Sequence, residues 1–450
     1  RRGALLEEVR ANESVLRLAA NPLLLTMLAL LRRQGGKLPE QRVKLYERYV
    51  ETLLDNNWES VRSEGARSRE PDRFDQSLAT DYLIDLALWL QQHKPNGMAR
   101  RQDIEKALVG IALRLDGVDP AGAPASVRRA AEEKAALFLK DMRHFAGLLA
   151  ERGQDAFGFL HLTFQEYFVG RALARMEPEE RWALLKPVLH KPRWREPVLL
   201  CAGQLGIVER RGKAVSDLGR RILEAGSPHE ELLHRDVFLV SAIAADNVGL
   251  DRVLLEELAG RLMDLAQSRV PTVREGALDG LAQLARLDLE SAKSWWRARI
   301  ESKDRYGETA SALSGVLGAE SCAELRRALC RWLNNSNRPV RSSAIFALKG
   351  LVTSDEEVRG LLIDKLDHED GYTRANVIEA LASQLPIDEE IRRRVLGKLD
   401  DPHASTLAAA VSALGALAAG NDDLTLLLMH ELDHPSDYVR STAVRACNRA

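Results

Sequence analysis

The last third of the chain repeats itself, and the length of the repeat limits the folds that the sequence can adopt. Four leucines, each followed by Asp or Asn and a short polar turn, stand 33 residues apart at Leu333, Leu366, Leu399 and Leu432. Each unit contains two stretches of helical apolar periodicity, separated by a turn rich in Asp, Asn, Pro and Gly. Because one short helix pair cannot bury its own apolar face, we expect the units to stack into an α-solenoid.

Two further positions recur inside the unit. A basic position lies eight residues after the leucine, and a small or branched apolar position follows three residues later. The basic positions are Arg341, Arg374 and Arg440, with Leu407 in their place in the third unit. The apolar positions are Ala344, Val377, Ala410 and Ala443. We expect these small side chains to be buried where neighbouring helices approach closely.

The unit resembles the HEAT repeat family. Its signature of a turn Asp followed by Val-Arg and a small residue is present as Asp433, Val439, Arg440 and Ala443. In that family the turn Asp and the Arg link adjacent repeats, so the resemblance implies a structural ladder of ion pairs. Ankyrin repeats have a similar period, but the chain lacks their Thr-Pro-Leu-His turn and is not assigned to them. The expected ladder residues are Arg274, Arg341, Asp367, Arg374, Asp400, Asp433 and Arg440.

The first half of the chain carries no such repeat. Residues 1–75 predict a helical domain that ends in a charged surface linker from Glu59 to Asp75. Residues 76–178 predict three helices followed by a short hairpin around Arg152-Gly153, which is the order of a winged helix. Residues 179–450 then form the HEAT-like solenoid. The predicted fold class is therefore dominated by α-helices: a helical domain, a winged-helix domain and an α-solenoid.

Three stretches of this first half resemble the NACHT family of signalling ATPases. The stretch from Asn21-Pro22 to Tyr49 is similar to the helical domain that follows a NACHT nucleotide-binding core. The run from Phe159 to Tyr167, Phe-Leu-His-Leu-Thr-Phe-Gln-Glu-Tyr, is similar to the winged-helix signature of the same family. The run from Trp194 to Leu200 is similar to the first repeat after it. The chain thus resembles the C-terminal portion of a NACHT-family STAND NTPase, a bacterial NLR-like protein.

The resemblance carries a set of functional expectations. In this family a P-loop core binds nucleotide, the helical and winged-helix domains hold it closed as ADP, and the repeat array senses a ligand. The matching positions imply that Pro22 packs on the adenine and that His161 contacts the β-phosphate of ADP. On helix statistics alone Pro22 is equally well explained as a first-turn proline. The structural alternative for His161 is a buried core histidine. For Gln165, Glu166 and Tyr167 we expect structural roles, in packing and in helix capping.

The chain itself lacks the machinery for nucleotide hydrolysis. No Gly-x-x-x-x-Gly-Lys-Ser/Thr loop is present, so ATP or ADP is expected to bind in the full-length protein and not in this part alone. No catalytic constellation stands out, and the four cysteines form no pair with metal-binding spacing. We therefore predict no catalytic residue, no metal and no cofactor for this stretch alone. Whether the parent protein is an active ATPase is left open.

Composition and hydropathy bear on the class of partner and on the cellular location. The formal net charge is −2 with a pI near 6.6, which does not indicate nucleic acid as a partner. No apolar run approaches the length of about 20 residues needed to span a membrane, and no signal peptide is visible, so we expect a cytoplasmic protein. The sequence begins at Arg1 and still reads as helix at Ala450, and we interpret both ends as cuts within a longer chain.

These observations favour one function and leave two alternatives. The favoured hypothesis is the regulatory and ligand-sensing half of a NACHT signalling ATPase, with a role in bacterial antiviral defence. Its partners would be a protein or another macromolecule on the solenoid, and further copies of the full-length protein through self-oligomerisation. The first alternative is a HEAT-repeat interaction scaffold without nucleotide switching. The second is a HEAT-like lyase that attaches a chromophore to a partner, and the motif around His161 counts against it.

Overall fold

The fold of the chain is helical and divides into two compact units. The computed structural model describes residues 15, 19, 22–33, 38–39, 41–65, 76–141, 148–151, 155–302 and 306–448. The units are Arg1–Leu254 and Leu255–Ala450. The predicted hairpin turn at Arg152-Gly153 lies outside the described residues, as does the part of the predicted linker from residue 66 to 75.

Among the described residues of the first unit, the first helices with defined bounds are α1 (Pro22–Arg33) and α2 (Arg42–Gly65), and both are amphipathic. Proline is tolerated at the start of α1 because the first turn has no use for its missing N–H. In α2, Val43, Tyr46 and Val50 recur every three or four residues and are buried. The helix continues to Gly65, so the predicted linker starts too early: residues 59–65 are helical.

A small winged-helix fold follows, in which helices surround a three-stranded sheet. The strands are antiparallel and lie in the order β1-β3-β2, with Met98 opposite Gly158 and Leu149 opposite Phe159. Gly158 is required because a Cβ there would lie 2.6 Å from the carbonyl oxygen of Gly97. The elements are α3 (Gln76–His93), β1 (Met98–Arg100), α4 (Arg101–Leu115), α5 (Ala125–Asp141), β2 (Leu149–Glu151), β3 (Ala156–Phe159) and α6 (Leu162–Arg175).

Helix α6 leads directly into the helices that complete the first unit. It packs closely on α8, since a Cβ at Gly170 would lie 2.8 Å from the Cβ of Leu200 and 3.0 Å from the backbone nitrogen of Cys201. A π-helical turn from Gln204 to Val208 follows α8. The helices are α7 (Pro178–Leu185), α8 (Pro192–Gly203), α9 (Gly212–Leu223), α10 (Glu230–Leu233), α11 (Arg235–Ala245) and α12 (Arg252–Leu265), the last of which runs across the division of the chain into units.

The second unit is a solenoid of helix pairs. The second helix of each pair packs on the second helix of the next pair. The four small apolar residues predicted to be buried, Ala344, Val377, Ala410 and Ala443, are each 0% exposed, which confirms the register of the repeat. The helices are α13 (Pro271–Arg286), α14 (Glu290–Ser302), α15 (Tyr306–Ser314), α16 (Ala323–Trp332), α17 (Arg338–Leu348), α18 (Glu356–Asp364), α19 (Gly371–Leu381), α20 (Glu389–Leu396), α21 (Ala404–Gly415), α22 (Asp422–His430) and α23 (Asp437–Cys447).

The structure thus has the fold class that the sequence predicts, a helical domain and a winged helix followed by an α-solenoid. Within the residues that the structure describes, no helix combines the length and the apolar character needed to cross a membrane.

Candidate functional site

The three family-like stretches of the first unit meet in one place. Aromatic rings join α2 to α6: Tyr46 stacks on Tyr167 with ring centroids 5.6 Å apart, and Tyr49 stacks on Phe164 at 5.8 Å. Stacked rings of this kind add about 0.5–1.5 kcal/mol each beyond the area they bury. Helix α8 packs on the same helix α6 at Gly170. Stretches that are more than 100 residues apart in sequence therefore form a single junction around α6.

An arginine links this junction to the end of α11. The Arg42 guanidinium donates to Glu196 Oε2 at 2.5 Å and to Asp246 Oδ2 at 3.0 Å, and its side chain is 22% exposed. Burial by itself lowers the pKa of an arginine, but the charges of Asp246 and Glu196 outweigh it and hold the pKa of Arg42 above its ordinary value. Arg42 is thus a permanent cation that fixes α2 against α8 and the residue after α11.

Glu166 is the unusual titratable group of the junction. Burial, reinforced by the nearby charge of Glu196 and only partly offset by Arg42, raises the pKa of the Glu166 carboxyl to about 7. The sequence predicts a packing or capping role for this residue, and its raised pKa could not be predicted from the sequence. Near neutral pH, Glu166 can therefore gain or lose a proton at the contact between α6 and α8.

The two neighbours of Glu166, Gln165 and Tyr167, are packed in the interior of the unit, as the sequence predicts. Tyr167 is 1% exposed under the ring of Tyr46. Gln165 is 1% exposed, and its Nε2 donates to Gln91 Oε1 at 2.8 Å. Gln91 in turn donates to the carbonyl oxygen of Arg193 at 2.7 Å. A buried amide chain thus connects α6, α3 and the first turn of α8.

His161 is the N-cap of α6 and is exposed to solvent. Its extended backbone (φ −133°, ψ 139°) places Nδ1 3.3 Å from the backbone nitrogen of Thr163 and 2.9 Å from the Thr163 hydroxyl oxygen. A backbone N–H can only donate, so Nδ1 is the acceptor and the neutral ring carries its proton on Nε2. His161 is therefore not a buried core histidine, and its Nε2–H is a hydrogen-bond donor.

The second predicted nucleotide residue lies at the start of α1. Pro22 is exposed, and its carbonyl oxygen accepts a hydrogen bond of 2.9 Å from the Thr26 hydroxyl. Within the described part of the chain, no contact joins Pro22 to His161. The nucleotide roles of both residues remain predictions from the family resemblance.

The repeated arginines of the solenoid have two functions each. Arg341 donates to the carbonyl oxygens of residues 335 and 336 in its own turn, and Arg374 does the same to residues 368 and 369. Each also reaches the next repeat, where Arg341 pairs with Asp370 at 2.7 Å and Arg374 pairs with Asp401 at 2.7 Å. In an earlier repeat Arg274 pairs with Glu308 at 2.9 Å. The side chains of these arginines are only 8–12% exposed.

The acidic side of the ladder differs from the expected one. Asp367 binds Arg394 in α20 and Lys398 just after it, and among the described residues neither Asp400 nor Asp433 has an ion pair. The cause is the carbonyl contacts, which direct each arginine toward the far end of the next turn. Asp370 and Asp401 lie there, three residues and one residue beyond the predicted positions. Arg440 pairs only with Asp437 of its own helix.

Two segments of the chain match known family models. Residues 42–173 match the family model of the winged helix-turn-helix domain C-terminal to NACHT. Residues 361–448 match the model of HEAT repeats. The chain therefore contains a NACHT-associated winged-helix domain followed by HEAT repeats, which confirms the resemblance seen in the sequence. The winged-helix match begins at Arg42, so it includes α2 and the aromatic stacks on α6. A search of curated proteins found no match.

Several solved structures are similar to this chain at low identity. A designed armadillo repeat protein is 17% identical, with 52% of this chain and 99% of that chain covered and a TM-score of 0.22. Kap121p bound to Pho4p is 12% identical, with 89% and 49% covered and a TM-score of 0.37. Human deoxyhypusine hydroxylase is 18% identical, with 64% and 96% covered and a TM-score of 0.22. With TM-scores this low, the likeness carries no argument about function.

The ion pairs between repeats predict that removal of one ladder arginine lowers the free energy of unfolding. Removing Arg374 leaves Asp401, whose side chain is 5% exposed, without its cation, and breaking a buried pair in this way costs about 3–5 kcal/mol. We expect Arg374→Ala to lower the free energy of unfolding by that amount in urea titrations. Arg393→Ala is the matched control, since Arg393 is exposed on α20, and we expect it to change stability by less than about 0.5 kcal/mol. Equal effects of the two variants would contradict the ladder.

The junction predicts a pH dependence with a definite sign. The folded-state pKa of Glu166 is about 7, whereas an unfolded Glu titrates near 4.3, so the folded state binds the extra proton between these values. Glu166 therefore makes its full contribution to the free energy of unfolding below about pH 4, and this contribution is lost as pH rises toward 7. We expect Glu166→Gln to flatten the fall in Tm between pH 5 and 8 relative to wild type. Glu132→Gln, on the exposed face of α5, should leave the profile unchanged; an unaltered profile in Glu166→Gln would contradict the assignment.

Proposed function

We propose that this chain is the regulatory and ligand-sensing part of a NACHT signalling ATPase. The observation that carries the proposal is the match of residues 42–173 to the winged-helix domain found C-terminal to NACHT, with His161 exposed at the N-terminus of α6. In this function the winged helix closes over a NACHT nucleotide-binding module while ADP is bound. ATP and ADP are thus the cofactors of the complete switch, and the chemistry of hydrolysis belongs to that module.

His161 has the properties that a phosphate contact needs. Its Nδ1 is held by Thr163, which leaves the Nε2–H free to donate to a phosphate oxygen. The N-terminus of the 14-residue helix α6 adds partial positive charge at the same end. A hydrogen bond to a charged group contributes about 1.5–3 kcal/mol. A bond of that size shifts a switch whose two states differ by only a few kcal/mol.

Helix α6 is the element through which such a switch would act on the rest of the unit. His161 stands at its start, Glu166 lies one turn later, and Gly170 brings α8 into backbone contact. Because packed helices move as rigid bodies, a rotation of the winged helix away from the nucleotide would displace α8 as well. Arg42 would resist this movement through its pairs with Glu196 and Asp246.

The HEAT repeats supply the sensing surface in this proposal. Stacked helix pairs present an extended face to a protein or another macromolecule, and ligand binding there would favour the open state. Self-oligomerisation of the opened protein would be the signalling output. Bacterial antiviral defence is the biological setting that the resemblance to NLR-like proteins suggests. The competing function, a HEAT scaffold without a switch, is favoured by the match of residues 361–448 alone.

The role of His161 can be tested without disturbing the fold. Asp is as good an N-cap as any residue, so His161→Asp should keep α6 intact while it repels a phosphate. In a polypeptide that joins a NACHT nucleotide-binding module to this chain, we expect His161→Ala and His161→Asp to release ADP at least about tenfold faster, the equivalent of 1.4 kcal/mol. Basal signalling without ligand should rise in both variants. The measurement is the dissociation rate of a fluorescent ADP analogue.

His430→Ala is the control, because the His430 side chain is 88% exposed on the solenoid. Its ADP release should equal that of wild type. Normal ADP release in both His161 variants, together with intact partner binding by the solenoid, would reject the switch and favour the scaffold.

A further inference from the structure

Four segments of the first unit bring a cluster of polar side chains together away from the α2–α6–α8 junction. His190 lies in the turn before α8, Ser227 in the loop after α9, Glu230 in the short helix α10 and Asp236 in the first turn of α11. One ligand atom each from His190, Glu230 and Asp236 lie within 4.8 Å of one another. The His190 Nε2 is 2.5 Å from Asp236 Oδ1 and 3.1 Å from the Ser227 hydroxyl oxygen.

The arrangement is not that of a hydrolytic triad. In such a triad the acid and the serine contact different nitrogens of the imidazole. Here Ser227 and Asp236 both contact Nε2, and the Ser227 hydroxyl itself donates to Asp236 Oδ1 at 2.6 Å. The serine is therefore not activated as a nucleophile.

The cluster holds one buried and one half-buried carboxylate, and its neighbours do not neutralise both. Asp236 is 1% exposed, and the His190 side chain is 13% exposed. Among the described residues no Lys or Arg pairs with either carboxylate, and Arg235, the neighbour in sequence, donates instead to the carbonyl oxygen of Pro228. Even a protonated His190 would balance only one of the two carboxylates.

A second observation points to a missing cation. Glu230 Oε1 accepts the backbone N–H of Asp236 at 2.9 Å, but the other oxygen, Oε2, is buried and has no hydrogen-bond partner. Removing a carboxylate oxygen from water without giving it a partner is unfavourable. Buried charges in proteins are otherwise paired or bind metals.

We propose that His190, Glu230 and Asp236 bind a divalent metal ion, with zinc as the best fit. One imidazole nitrogen and two carboxylates form a ligand set that Zn²⁺ accepts, and a 2+ ion cancels the two negative charges. The Ser227 hydroxyl or a water molecule would occupy the fourth tetrahedral position. The site would be structural, since it would pin the loop between α9 and α11 to the turn before α8.

Metal binding would replace the hydrogen bond between His190 and Asp236. Zinc lies about 2.0–2.2 Å from nitrogen and oxygen ligands, so tetrahedral ligand atoms are about 3.4 Å apart. The pair at 2.5 Å must therefore open by roughly 1 Å. The Nε2 proton is released when the metal binds, which makes binding weaker at low pH.

The test begins with zinc uptake by the chain after dialysis against EDTA. Isothermal titration with zinc sulfate is expected to show one high-affinity equivalent that is absent in His190→Gln and Asp236→Asn. His190→Gln keeps a donor for Asp236, so the variant should fold, and circular dichroism checks that it does. The control is His229→Ala, because His229 is exposed beside α10 and should not change the uptake. Equal zinc binding by wild type and His190→Gln would overturn the proposal.

Glu230→Gln separates a metal site from a purely structural cluster. In EDTA the variant should have a higher Tm than wild type, because it removes the unpaired buried charge. Adding zinc should raise the Tm of wild type and leave that of Glu230→Gln unchanged. A wild-type Tm that is identical in EDTA and in zinc would also overturn the proposal.

Discussion

The ion pairs of Arg42 are the interaction on which the first unit depends. A guanidinium cannot lose its proton, so once it is largely buried it must have carboxylates beside it. Glu196 and Asp246 supply them from α8 and from the end of α11, and this fixes where α2 can lie. Glu166 lies close to these charges. Burial, reinforced by the charge of Glu196 and only partly offset by Arg42, raises the pKa of its carboxyl to about 7.

The solenoid uses arginine in a different way. There Arg341 and Arg374 each bind two backbone carbonyls of their own turn and use their remaining donors to bind the next repeat. Each of these arginines stabilises two repeats, because its removal leaves unsatisfied carbonyls in one repeat and an unpaired acid in the next. Leu407 omits a rung. At that step α21 packs closely on α23, since a Cβ at Gly415 would lie 2.6 Å from the Cβ of Ala446.

Features that are periodic or local can be predicted from the sequence. Contacts between side chains of distant segments cannot. The burial of Ala410 follows from a period of 33, whereas the N-cap position of His161 is not predicted and is seen only in the structure. Strand β1 is missed because three residues show no periodicity. The ladder acids are misplaced by one to three residues because side-chain reach, not spacing, selects the partner. Nothing in the sequence connects Arg42 to Glu196, since only the fold brings them together.

Arg42 holds α2 against the rest of its unit. Hydrogen–deuterium exchange can test this role in Arg42→Met, with Lys44→Met as the control because Lys44 is exposed on the same helix. We expect faster exchange in α2 and in the first turns of α8 for Arg42→Met alone, while α5 keeps its wild-type protection. Exchange in α2 that is equally slow in both variants would contradict it.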